Sequence, residues 1–136
     1  MKGVIFNIFE SFIVDTLGSS VYEEVYHQAL PELETKEAFV GPGTYPDTDL
    51  LKLLQVAVKK AGISVEKALH AFGVYTFPKL VEKAPHSVKG FNHPMPFLKN
   101  IHDVIHVEVK KVYSDATPPN FYFDNETDKS LSLIHI

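Results

Sequence analysis

Phe97–Tyr113, FLKNIHDVIHVEVKKVY, is the stretch on which the reading of this chain turns. Taken as one helix, it sets Leu98, Ile101, Ile105, Val109 and Val112 along one apolar stripe at three- and four-residue spacing. His102 and His106 are four apart, so they stack one turn above the other on the flank of that stripe. At about 100° per residue, His106 falls roughly 80° from Leu98, at the margin between the apolar and polar faces. A neutral imidazole there can look into an apolar pocket and offer a nitrogen lone pair to something bound in it.

The rest of the chain limits what that something can be. Its 136 residues suffice for one domain with a core. A hydrophobic fraction of 45% and a charged fraction of 22% are those of a soluble globular protein. A net charge of −4, with the basic residues spread along the chain, argues against a nucleic-acid surface. There is no cysteine, hence no disulfide framework, thiol chemistry, iron–sulfur cluster or cysteine zinc site, and a reducing cytoplasm is the expected compartment. Seven histidines and two methionines are the remaining soft ligands. The opening MKGVIFNIFESFIVDTLG does not read as a secretory leader: Asn7, Glu10 and Ser11 interrupt the apolar run. It is also too short and too polar to span a membrane.

Ile5, Phe9, Phe12 and Ile13 instead repeat at helical spacing, which predicts a first helix ending near Gly18. A second helix is predicted through Ala29, capped by Ser19 or Ser20, with Glu23 and Glu24 in its first turn. Glu32 to Pro46 reads as a loop, because GPGTYP places two prolines and two glycines within six residues. Asp47 to Ala61 is a third helix with Leu50, Leu51, Leu54, Val58 and Ala61 inward, closed by Gly62. Ser64 caps a fourth, carrying Val65, Leu69 and Phe72. Gly73 costs a helix about 1 kcal/mol relative to alanine. Spacing therefore favours a break there, before a short PKLVEKA helix, over a close approach by a ligand. Pro85 to Pro96 is a second loop holding His86 and His93. ATPPN ends the long helix. Strand formers at Phe121–Phe123, a turn at DNETDK and a returning LSLI then begin an antiparallel pair. Helices followed by an unfinished sheet make the class α+β.

Spacing leaves three readings of His102 and His106. They can be structural histidines bonded to backbone carbonyls. HDVIH also has the ligand spacing of a zinc-hydrolase helix. Against that, Asp103 stands where a longer glutamate activates water, and only His135 and a few acids follow as a third ligand. The third reading is a haem pocket, which needs one axial imidazole and an apolar enclosure. Ile5, Phe9, Phe72, Phe77, Val109 and Phe121 supply that inventory.

MKGVIFNIFESFIV, YPDTDLLKLL, AFGVYTF and above all IHDVIHVEVKKVYSDATPP closely resemble the haem-nitric oxide/oxygen binding family, H-NOX, over nearly the whole chain. The resemblance implies a distal bundle of N-terminal helices and a proximal side made of the long His-bearing helix and an antiparallel sheet. It implies haem b (iron protoporphyrin IX) ligated by His106 and not by His102, with Pro119 pressing on the porphyrin. Ile5, Phe9, Gly73, Phe77 and Val109 are the implied pocket residues. The implied function is a gas sensor, not an enzyme. It would bind nitric oxide, with carbon monoxide or oxygen as further ligands, and signal to a histidine kinase or a cyclic-di-nucleotide enzyme. Haem storage and a purely structural helical module are the competing roles.

The family's tyrosine-x-serine-x-arginine clamp for the propionates has no counterpart: Leu131, Leu133 and His135 occupy the approach to it. The C-terminal part of the sheet and the region of the family's distal tyrosine are likewise missing. The expectation is therefore a single domain over residues 1–136, truncated at its C-terminus. LSLIHI at 131–136 reads as translated sequencing adaptor instead of native strand.

Overall fold

Four helices organise residues 1–83: α1 (Gly3–Leu17), α2 (Ser19–Ala29), α3 (Asp47–Ala61) and α4 (Val65–Lys83). The computed structural model describes residues 1–115, 118, 121–124 and 132–135, with His102 and the strand residues described by backbone. The chain divides into two units, Met1–Lys83 and Ala84–Ile136.

In the first unit, α1 is the central element and packs on α2, α3 and α4. Its buried face carries Phe6, Ile8, Phe9 and Ile13, with Ile5 and Phe12 half-buried at its edges. The predicted end at Gly18 is observed, and the reason is backbone: Gly18 adopts a φ of 100°, which side chains resist. The Gly18 amide closes α1 on the Val14 carbonyl, and the same residue opens α2. That corrects two expectations. Neither Ser19 nor Ser20 caps α2, because the helix starts at once after Gly18 and Ser19 is already its first residue. Glu23 and Glu24 consequently lie beyond the first turn.

The predicted loop of residues 32–46 supplies what the start of α1 lacks. The first amides of a helix have no partner within it. Here Gly3 N–H donates to the Gly43 carbonyl at 2.8 Å and Val4 N–H to that of Gly41 at 3.1 Å. The loop aromatics close the same corner, with Phe6 stacked on Phe39 at 4.2 Å and Tyr45 edge-on to both rings. A Cβ on Gly3 would lie 2.0 Å from the Val40 carbonyl oxygen and 2.8 Å from the Tyr45 ring. Backbone cannot yield as a side-chain tip can, so Gly3→Ala is expected to cost about 1–3 kcal/mol by overpacking, measurable as a lower midpoint in urea.

α3 spans the predicted residues and closes on Gly62, but its inward face differs from the expected one. Leu53, Leu54, Ala57 and Val58 are buried with Asp49, while Leu51 is 52% exposed. The apolar residues run too densely there for spacing to tell neighbouring faces apart. α4 is capped by Ser64 as predicted, its hydroxyl accepting from Lys67 N–H at 3.2 Å. The expected break at Gly73 is absent: α4 continues through Gly73 and Pro78 for 19 residues. Packing outweighs propensity here, because Ala68 and Phe72 are anchored in the core and Tyr75 donates to Asp15 of α1. Val65 and Leu69, expected inward, are 46% and 48% exposed.

In the second unit, a short 3₁₀ turn at Pro85–Ser87 precedes a helical run. The run begins at Pro94, earlier than predicted, with His93 as its N-cap accepting from Met95 N–H. It comprises α5 (Pro94–Asn100), a π turn (Ile101–Ile105) and α6 (His106–Val112). The predicted single α-helix is thus interrupted by a five-residue turn at IHDVI. Val112, placed on the stripe by α spacing, is 70% exposed. Two strands follow, β1 (Phe121–Asp124) and β2 (Ser132–His135). They pair antiparallel, with Phe121 opposite His135 and Asp124 opposite Ser132. The DNETDK turn beyond Asp124, Leu131 and Pro119 lie outside the described residues.

Candidate functional site

The candidate residues fall in both units. In the first, Phe9 is 1% exposed and meets the edge of Phe72 at 5.3 Å, so α1 and α4 are joined at this level of the core. Ile5, one turn earlier, is half-buried. Gly73 and Phe77 stand one turn apart on α4, on a stripe with Leu69 and Leu80. Leu69, Phe77 and Leu80 are 48%, 50% and 37% exposed. This is an apolar face with a glycine at its centre, and a Cβ at Gly73 would meet nothing within 4 Å. The glycine therefore answers neither a turn nor a neighbouring helix within its unit. It leaves an apolar face with a flat middle, the shape that the edge of a planar ring can approach.

Sequence reasoning assigned Leu69 to the core and passed over Leu80. The signal available was their spacing from Gly73 and Phe77, four residues before one and three after the other. Thr76, beside Phe77, was also missed. Its hydroxyl oxygen is shielded from solvent with no hydrogen-bond partner among the described residues. A groove of about 430 Å³ elsewhere in this unit is lined by Val4, Asn7, Ile8, Ser11, Lys79 and Glu82, among others. It contains none of the candidate residues.

In the second unit, Ile101, Ile105, His106 and Val109 are half-buried, while Asp103, Val104, Val107, Glu108 and Lys110 are exposed. His106 opens α6, and its amide donates to the Ile101 carbonyl, closing the π turn. His27, His70, His86 and His93 are all exposed. Among the described histidine side chains His106 alone is half-buried, with Nδ1 shielded from solvent. Pro119 lies outside the described residues, and the side chain of His102 is not described.

The zinc reading rests on His102 and His135 besides His106, and the side chains of His102 and His135 lie outside those described. A zinc hydrolase needs three protein ligands converging on one point. Among the described residues no three His, Cys, Asp or Glu side chains converge in that way. Haem needs one imidazole and apolar walls. The half-buried imidazole of His106 is a donor of the kind that group takes. No described helix is long and apolar enough to cross a membrane.

Three solved structures resemble this chain over 99% of its length. The Fe(II) unliganded H-NOX protein from K. algicida is 30% identical over 72% of its own chain, with a TM-score of 0.87. An H-NOX protein from S. oneidensis in the Fe(II)NO ligation state is 26% identical over 73% of its chain, with a TM-score of 0.83. The H-NOX domain of Shewanella oneidensis in the Fe(II)CO ligation state is 27% identical over 73% of its chain, at 0.80. A comparison with curated proteins gives no match. The family profile described as haem-NO-binding matches residues 2–135. By fold and by this match, the chain belongs to the haem-NO-binding (H-NOX) family, whose members are haem-binding gas sensors and not enzymes.

Proposed function

We propose that this protein is a cytoplasmic nitric oxide sensor that holds a b-type haem through His106. Carbon monoxide or oxygen would be the alternative ligand of the same site. The observation that supports the reading best is the singular environment of His106, half-buried with Nδ1 shielded while the other described histidine side chains are exposed. Bound haem would be held by His106 and would supply a ferrous iron able to take a diatomic gas.

The chain supplies the rest. By the family resemblance, Ile5, Phe9, Gly73, Phe77 and Val109 are the apolar residues that would keep water from the metal. By the same resemblance, Gly73 would give the porphyrin room and Pro119 would be the proline that presses on it. His106 is the mechanical link. It is the first residue of α6, so holding or releasing its imidazole selects between two positions of that helix. The β1–β2 ladder belongs to an antiparallel sheet on the same proximal side, which moves with the helix. A separate histidine kinase or cyclic-di-nucleotide enzyme reads the change.

The test is an absorption spectrum of the purified protein with haem and dithionite, before and after nitric oxide. A Soret band that shifts on adding the gas is the expected result, together with changed activity of the partner enzyme. Stoichiometric zinc without a Soret band would overturn the reading. A haem band with no partner response to nitric oxide would leave a storage protein. Gly73→Ala offers a second check. With no strain and no clash, it should stabilise the haem-free protein by about 1 kcal/mol through helix propensity. If Gly73 lines the pocket, the same change should weaken haem binding, read by haem transfer to a scavenging globin.

A further inference from the structure

The π turn gives His106 a placement that the sequence spacing does not. In an α-helix each amide reaches back four residues, which would set Ile105 above Ile101 and turn His106 about 140° away from Ile101. Here the His106 amide reaches back five, to the Ile101 carbonyl. The turn holds one residue more than an α turn, and His106 takes the position above Ile101. Both flanking segments are ordinary α-helix: Ile101 N–H bonds to Phe97 and Tyr113 N–H to Val109. The irregularity is confined to IHDVI. It contains no proline or glycine that forces it, and such single turns recur at functional sites. Its surplus residue lies on the outer face, where Asp103 and Val104 are exposed.

We propose that the Ile101–Ile105 π turn is the positioning element for the axial ligand, rotating His106 onto the half-buried side of the helix shared with Ile101 and Val109. The inference rests on the haem reading for its purpose but not for its geometry, so the two fail separately.

Deleting Val104 removes the surplus residue and leaves His106 above Ile101 through an ordinary four-residue turn. The Val104 deletion is therefore expected to keep haem and the iron–histidine stretching band in resonance Raman spectra. Inserting one alanine between Ile105 and His106 should lose both while far-UV helicity is retained. In a regular α-helix the deletion would turn His106 by about 100°. A folded Val104 deletion that holds no haem overturns the proposal. A direct measurement decides if the deletion does not fold. In the unmodified protein, scalar coupling across the hydrogen bond should join the His106 amide nitrogen to the carbonyl carbon of Ile101. Coupling to residue 102 instead overturns it. This can be read in the diamagnetic carbon monoxide form, or in haem-free protein if no haem binds.

Discussion

His106→Gly is expected to empty the protein of haem, and free imidazole in the medium is expected to restore it. Glycine removes the only described imidazole that is shielded from bulk water, and the cavity it leaves admits imidazole as a detached ligand. The apolar walls remain, so the refilled protein should again show a Soret band. Its iron would then no longer be tied to α6. The added gas should bind but produce no response in the partner enzyme, since the chain no longer transmits a pull. His102→Ala, four residues earlier in the π turn, should keep its haem. Equal loss in both variants, or an unchanged spectrum for His106→Gly, would refute the ligand assignment.

The largest effect on stability is expected at Asp49, far in sequence from the ligand. Its side chain is 0% exposed on α3. One carboxylate oxygen accepts from Glu34 N–H at 2.8 Å and the other from Thr35 N–H at 2.9 Å. It thus pins the loop leaving α2, which Lys36 also holds by donating to the Leu30 and Pro31 carbonyls. Burial alone would raise the Asp49 pKa, but the two amide donors and nearby Lys52 outweigh it and hold the carboxyl below its ordinary value. Asp49→Ala leaves two inward-facing amides without acceptors. At about 1–3 kcal/mol for each lost bond to a charged group, a loss of roughly 3 kcal/mol is expected, read by urea denaturation.

The pH dependence follows in sign. A carboxyl whose folded pKa lies below its unfolded value binds fewer protons in the folded state at intermediate pH. Its contribution is full above the ordinary value of 3.8 and is lost as the pH falls through the lower folded value. Asp49→Ala should therefore be much less stable than the unaltered protein at neutral pH, and the gap should narrow in strong acid. A gap that widens on acidification would show that the carboxylate is not the stabilising form.

Several elements were legible in the sequence because their cause is local. α1 ends at Gly18 and α3 ends at Gly62, since each terminus needs a backbone conformation that glycine reaches easily. Ser64 was recognisable as a cap from its own neighbours. The stretch around His106 was specific enough to identify the family, and the profile match and the resemblance to solved structures agree with it.

What spacing could not supply was decided by groups far apart in the chain. Asp49 looks like an ordinary acid in the first turn of a helix until Glu34 and Thr35 meet it across the loop. α4 runs through Gly73 and Pro78 because Phe72 and Tyr75 are held by α1, contacts worth more than the local penalty. The same override left Leu69 and Phe77 on an open face beside a glycine. His106 is the sharpest case. Its identity and neighbours fix the chemistry it can offer, since one imidazole beside an apolar stripe can hold a haem iron. Its direction is fixed by a hydrogen bond that reaches back five residues instead of four. Both registers of IHDVI satisfy the backbone amides, so side-chain periodicity alone cannot choose between them; only the folded backbone shows which is taken.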